Sequence, residues 1–193
     1  MIQWVLSWPT WPMTRIFGIL AYLLLFGGMA LGMLYGYPFA KGPLKAKLYR
    51  WHTRLTGGGV IISLLHAVIL MIDTYSPFTA VEILVPFMAR SHPFWYGLGT
   101  LALYGMLALM LSSDMRPKLK RPLWIAIHML SYPIYLIAML HGIKAGTDTS
   151  HPLVQAMYIG TFIITLGLFG GRMFLRSSSA AGGIPKRTPR RTG

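Results

Sequence analysis

Residues 48–72 read LYRWHTRLTGGGVIISLLHAVILMI. From Leu55 to Ile72 the stretch carries no charge, yet it holds His66, and its basic beginning holds His52. A helix needs roughly 20 apolar residues to cross the hydrocarbon core of a bilayer. This run supplies them, so it predicts a membrane-spanning helix with a histidine near each end. Residues 123–143, LWIAIHMLSYPIYLIAMLHGI, repeat the arrangement with His128 and His141.

Three further apolar runs complete the set, from about Ile16 to Tyr35, Phe94 to Leu111 and Pro152 to Phe169. Of the 193 residues, 54% are hydrophobic and 11% charged. Soluble domains carry about 25% charged residues. The expected fold class is therefore all-α: one integral membrane helix bundle of about five transmembrane helices. There is no cysteine, which excludes disulfides, thiolate chemistry, iron–sulfur clusters and covalent c-type haem.

The net charge of +14 would suggest nucleic acid in a soluble protein. Its distribution points instead to a membrane topology and to no nucleic acid. Lys41, Lys45, Lys47, Arg50 and Arg54 surround the start of the second span. Arg116, Lys118, Lys120 and Arg121 precede the fourth, and Arg172, Arg176, Lys186, Arg187, Arg190 and Arg191 follow the fifth. The other side keeps only Arg15, Arg90 and Lys144, matched by Asp73, Glu82 and Asp148. Positive charge collects on the cytoplasmic side. The N-terminus is therefore expected outside and the C-terminus in the cytoplasm.

Residues 1–14 lack a basic signal-peptide start. With Trp4, Trp8, Pro9, Trp11 and Pro12 they read as an interfacial N-terminal segment. Residues 15–176 form the transmembrane domain. Residues 177–193, rich in Ser, Gly, Pro and Arg, read as a basic disordered tail suited to anionic lipid. The outer loop from Asp73 to Ser91 is predicted to hold a short surface helix over Val81 to Met88.

His52 and His66 lie fourteen residues apart, His128 and His141 thirteen, on two helices that run the same way. At 1.5 Å per residue these spacings are about 21 and 20 Å. His52 thus falls at the depth of His128, and His66 at the depth of His141. Opposed neutral imidazoles fill both axial positions of a haem iron. The pattern predicts two b-type haems, held by the pairs His52–His128 and His66–His141. Fourteen residues return to within about 40° of one helix face, whereas thirteen fall short by about 140°. Pro133 lies between the second two histidines and predicts a local distortion there.

Gly57, Gly58 and Gly59 allow close approach of either a neighbouring helix or a flat cofactor. Arg50 and Arg54 flank His52 and suit the propionates of the inner haem; Arg90 or Lys144 could serve the outer one. The competing reading for these cations is interfacial snorkelling. His92 and His151 each precede a proline in an outer loop. They read as surface residues, the other reading being an acceptor or metal site at the outer mouth.

Trp51-His52 through Leu65-His66 and Ile127-His128 through Leu140-His141 resemble the membrane domain of the ferric reductase and NADPH oxidase family. The resemblance covers roughly residues 14–175. It implies a membrane cytochrome b that carries electrons across the bilayer through two bis-histidine haems. It also implies a multi-pass protein of the cell membrane, among them bacterial inner-membrane subunits that serve periplasmic reductases. Its outer acceptor would be ferric iron or a partner reductase. The family domain has six spans with its ligands on the third and fifth; here five are counted, with ligands on the second and fourth. No flavin or nicotinamide domain follows the bundle, and no G-x-G-x-x-G pattern occurs. A separate electron donor, a flavoprotein or membrane quinol, is implied, and with it a flavin supplied by a partner. Two other classes compete: a quinone-linked dihaem anchor of a redox complex, and a non-redox structural membrane protein.

Overall fold

In the computed structural model, which describes residues 9–181 (the side chains of 176–181 apart), the chain is all-helical. Five helical segments are long and apolar enough to cross a membrane. They comprise α1 (Thr10–Tyr35), α2 (Gly42–Ile72), α4 (Pro93–Asp114), the pair α5 (Arg121–Met129) and α6 (Ser131–Ala145), and α7 (Pro152–Ala181). A short α3 (Ala80–Leu84) lies in the loop before α4, and a 3-10 turn, Arg116–Lys118, precedes α5.

Proline sets several of the helix starts. Pro43, Pro93 and Pro122 stand in the first turn of α2, α4 and α5, and Pro152 begins α7. A first-turn residue has no intrahelical use for its N–H, and proline fixes φ near the helical value. The same logic moves two predicted boundaries. α1 begins at Thr10 rather than near Ile16, because Pro12 sits in the first turn, where its missing N–H costs nothing. Residues 10–14 therefore belong to the first span, not to an interfacial segment, and residues 1–8 lie outside the described residues. α2 begins at Gly42 rather than Leu48, immediately before Pro43. Its 31 residues exceed what a bilayer core requires, and the surplus is its basic beginning. At the other end of the chain α7 continues as helix through Ala181, into the segment read as a disordered tail; the rest of that tail lies outside the described residues.

The predicted distortion between His128 and His141 falls at Leu130, where α5 gives way to α6. Pro133 offers no N–H to the Met129 carbonyl, and its ring crowds that carbonyl. The Leu130 N–H bonds back three residues to Ile127 O at 3.0 Å, a tighter turn than the α-helix makes. Overwinding of this kind adds rotation, the sense needed to bring a thirteen-residue spacing back towards one face.

α1 packs along α2, and α4 along α6, both antiparallel; α7 packs against α1. Gly59 is one place where α1 comes close to α2, since a Cβ there would lie 2.9 Å from Leu25; Gly28, against Thr56, is another. Gly57 faces open space. Close helix packing thus accounts for Gly59, and the glycine run does not act as a unit. At the middle of the bundle Tyr22, Met29, Met33, Tyr135, Met139 and Tyr158 form a buried core. The Tyr22 hydroxyl bonds those of Tyr135 (2.8 Å) and Thr161 (2.6 Å), so the polar groups here are satisfied within the bundle. Large apolar side chains such as Ile61, Val68, Leu153, Ile163 and Phe174 point outward, as lipid contact requires.

Polar contacts fix which helix ends lie together. Thr10 bonds Asp73 and Arg15 pairs with Asp148, joining the start of α1, the end of α2 and the end of α6. Tyr37 donates to the Leu168 carbonyl at 2.6 Å at the opposite end. That second end carries the basic clusters and is called the basic end below.

α3 is shorter than the predicted surface helix because Val85 is already extended. Thr79 and Glu82 form a reciprocal capping box at its start. The Glu82 carboxylate accepts from the Thr79 backbone N–H (2.9 Å), the Thr79 hydroxyl (2.8 Å) and the Arg90 backbone N–H (3.0 Å). These bonds hold its pKa below the ordinary carboxylate value. A depressed pKa gives stability that is complete above the unfolded value of about 4.3 and is lost as pH falls through the folded one. Amide exchange over residues 79–90, relative to its intrinsic rate at each pH, is therefore expected to quicken in acid. In a Glu82→Ala variant it should already be fast at neutral pH, and unchanged exchange there would remove the box from this role.

Candidate functional site

The four histidines on the spanning helices meet in two pairs. His52 faces His128 with ring centroids 6.2 Å apart, and His66 faces His141 at 6.5 Å. The ring planes cross at 76° and 77°. The first pair lies towards the basic end and the second towards the opposite end. Neither pair is joined by a hydrogen bond between its rings, although imidazoles this near could make one by a small shift. The supporting helices stand apart as well: α2 does not pack closely on α5 or α6, in contrast to the intimate α1–α2 and α4–α6 contacts.

The separation fits a metal ion. A metal–imidazole bond is about 2.0–2.1 Å; two of them, with roughly 1.1–1.2 Å from each nitrogen to its ring centre, sum to about 6.2–6.6 Å. Among the described residues no three metal-ligating side chains cluster. Each site would thus give a metal two protein ligands on opposite sides, which suits an ion whose remaining ligands belong to a macrocycle.

The second nitrogen of each ring decides which one is free. His52 Nδ1 is 2.7 Å from the Gly28 carbonyl, His66 Nδ1 is 2.9 Å from that of Thr14, and His141 Nδ1 is 2.9 Å from that of Trp95. A carbonyl only accepts, so Nδ1 carries the proton and Nε2 keeps its lone pair. This is the arrangement of metal-bound histidines, whose other N–H is held by an acceptor. His128 differs: its Nδ1 is buried without a partner, and so is Trp124 Nε1. The Trp124 ring instead stacks on His128 at 5.0 Å and 19°.

Each carbonyl is followed four residues later by a glycine: Thr14 by Gly18, Gly28 by Gly32, Trp95 by Gly99. A Cβ at Gly18 would stand 3.2 Å from the His66 ring, one at Gly32 3.0 Å from His52, and one at Gly99 2.6 Å from His141. In a helix the residue four places on hangs over the carbonyl. Its missing side chain lets the imidazole reach a carbonyl that already serves the helix. Of the glycines that the sequence marked for close approach, Gly59 meets a neighbouring helix, and those against the imidazoles are others. The signal that would have found these was the fourteen-residue spacing of Gly18 and Gly32, equal to that of His52 and His66 on the antiparallel neighbour.

A cavity opens on the His66–His141 pair and spans about 1370 Å³ including its mouth. Gly18, Gly99, Leu25, Leu103 and Met106 give it a largely apolar wall. Arg15 is the cation that lines it, paired with Asp148. Arg90 lies against Glu82 at 3.6 Å and Lys144 over the Trp95 ring at 5.5 Å, so neither lines the cavity. At the basic end Arg50 and Arg54 are exposed, Arg54 over Trp51 at 5.6 Å. The cation nearer His128 is one the sequence did not single out: Arg116 sits over the Trp124 ring at 4.6 Å, and Trp124 stacks on the histidine. His92 and His151 lie outside both pairs. Both are exposed at helix starts, His92 with a left-handed φ of 44° and His151 accepting from the Leu153 N–H.

Comparison of the chain with protein-family models, with curated proteins and with solved structures finds no match.

Proposed function

We propose that the chain is a membrane cytochrome b, the electron-carrying subunit of a ferric reductase-like oxidoreductase system. The reading rests on one observation above the others: two opposed imidazole pairs, each open by the width of a metal ion and its two bonds. Haem held there between two imidazoles would supply a one-electron carrier, suited to transfer rather than to oxygen binding. His52 with His128 and His66 with His141 would hold it. The Gly28, Thr14 and Trp95 carbonyls would fix the tautomer and the ring planes of three of them. Arg50 and Arg54, joined by Arg116, would offer positive charge to propionates at the basic end, and Arg15 at the opposite end. The cavity beside the second pair would give a haem there a largely apolar wall.

By the positive-inside rule the chain's cations favour a basic end in the cytoplasm, with the His66–His141 pair towards the outside of a cell membrane. Electrons would enter from a separate flavoprotein or quinol and leave to an outer acceptor, ferric iron or a partner reductase. A visible difference spectrum of the purified protein, reduced against oxidised, is expected to show b-type haem at about two per chain by pyridine haemochrome. Protein without haem, made in cells that fill other cytochromes, would overturn the reading. A reporter enzyme fused at the C-terminus should be active only in the cytoplasm; an external signal would reverse the topology.

A further inference from the structure

Three of the four imidazoles rest in the same bracket, a helix carbonyl followed four residues later by glycine. On α1 the brackets repeat at a spacing of fourteen, Thr14/Gly18 and then Gly28/Gly32. Applied to α4, the same step from Trp95/Gly99 arrives at Leu109 and Ser113. There the pattern fails in two ways. Position 113 is serine rather than glycine, and the Leu109 carbonyl is already taken. Ser112 Oγ donates to it at 2.9 Å and Ser113 Oγ at 2.8 Å. On the facing segment His128 Nδ1 is the one histidine nitrogen of the four that is buried without an acceptor. Two independent observations, a closed bracket on α4 and a buried unpartnered imidazole nitrogen on α5, fall where the fourteen-residue step calls for the fourth bracket.

The chemistry of the difference follows from what an acceptor does to a ligand. An Nδ1–H bonded to a carbonyl pushes electron density to Nε2, making it a stronger donor that favours the oxidised metal. Stacking by Trp124 holds the His128 ring plane but accepts no proton. Arg116, over that same tryptophan, adds positive charge, which favours the reduced metal.

Resting on the haem reading above, we propose that Ser112 and Ser113 close the fourth bracket, making His128 the weak axial ligand and the centre at the basic end the more labile and more easily reduced of the two. A single electron shared between the centres then rests at the basic end, on the side of the cationic loops. Ser112 and Ser113 act as positioning residues, through the carbonyl they occupy.

The test uses two variants of the full chain, each keeping one centre: His66→Ala retains His52–His128, and His52→Ala retains His66–His141. Haem transfer to a haem-free globin and the midpoint potential are measured for both. The His66→Ala protein should lose its haem about tenfold faster or more, the scale of a lost outer-shell partner, and titrate at the higher potential. Adding Ser112→Ala with Ser113→Gly to His66→Ala frees the Leu109 carbonyl. Haem loss should then slow and the potential fall, while the same pair of changes in His52→Ala leaves both values unmoved. Equal rates and potentials in the two single variants, or a bracket change that moves neither value in His66→Ala, would overturn the proposal while leaving the haem reading standing. Should the histidine variants fail to fold, the wild-type protein decides: two phases of haem transfer, slowed to one by the serine changes, support the inference, and one phase from the outset overturns it. Wild-type protein with no haem at all would instead sink the function reading, and this inference with it.

Discussion

Replacement of His141 by alanine is expected to lower the haem content from about two per chain to about one, with the centre nearer the basic end retained. His141 faces His66 alone, and no other imidazole is placed to take its position. Its own Nδ1 is spent on the Trp95 carbonyl, so the ring is fixed and its loss is not repaired by a neighbour's rotation. His66→Ala should give the same result from the other side. His92→Ala and His151→Ala are the controls. Both residues are exposed at helix starts, away from either pair, so both haems should remain. Pyridine haemochrome on the purified variants reads all four. Full haem in His141→Ala would break the pairing, and haem lost from His92→Ala would show that a ligand has been misassigned.

A single methyl group at position 99 should have nearly the same effect as removing the ligand. A Cβ on Gly99 would stand 2.6 to 2.9 Å from three atoms of the His141 ring, nearer than side chains approach. The ring is the tip of a side chain held by a hydrogen bond, so the strain is relieved only by turning it off the Trp95 carbonyl and out of line with His66. Gly99→Ala is therefore expected to lose most of the haem at the opposite end and to keep that at the basic end. Gly57→Ala is the matched control, because nothing lies within 4 Å of its Cβ position. That change also removes a helix-destabilising glycine, worth up to about 1 kcal/mol in the helix's favour. If Gly99→Ala kept both haems with an unaltered spectrum, the bracket would be incidental packing and His141 would have more freedom than its contacts imply.

Much of the bundle was legible because membrane spans obey simple rules. Backbone polar groups must be satisfied inside the hydrocarbon, so an uncharged run such as residues 55–72 has to be helical. Length then decides that it spans. The pairing of His52 with His128 and His66 with His141 was legible for a similar reason, since equal rise per residue on parallel helices converts spacing into depth. The boundaries were less so. Thr10 to Thr14 joined α1 because prolines near a helix start are harmless, and a reading that takes Pro9, Trp11 and Pro12 as an interfacial segment starts the helix too late.

Facing could not be read from one strand of sequence. Thirteen residues on an ideal helix leave His128 and His141 on different sides, and Pro133 said only that something would give. The tight turn at Leu130 and the ring separations of 6.2 and 6.5 Å belong to the folded bundle. The useful cations were also a matter of folding: Arg15 reaches the cavity across from Asp148, and Arg116 reaches Trp124, through contacts distant in sequence or bent back by a loop.

By itself, then, the sequence determined the helices, their number, their depth register in the sense of rise per residue, and which histidines share a level, because these depend on local hydrogen bonding and hydropathy. The tertiary structure decided what lies behind each imidazole. Gly18, Gly32 and Gly99 matter through side chains of other helices, and only the folded bundle shows that His128 Nδ1 is buried without a partner while the Ser112 and Ser113 hydroxyls occupy the Leu109 carbonyl. Proximity between helices is set by packing of whole surfaces, and no single helix carries that information.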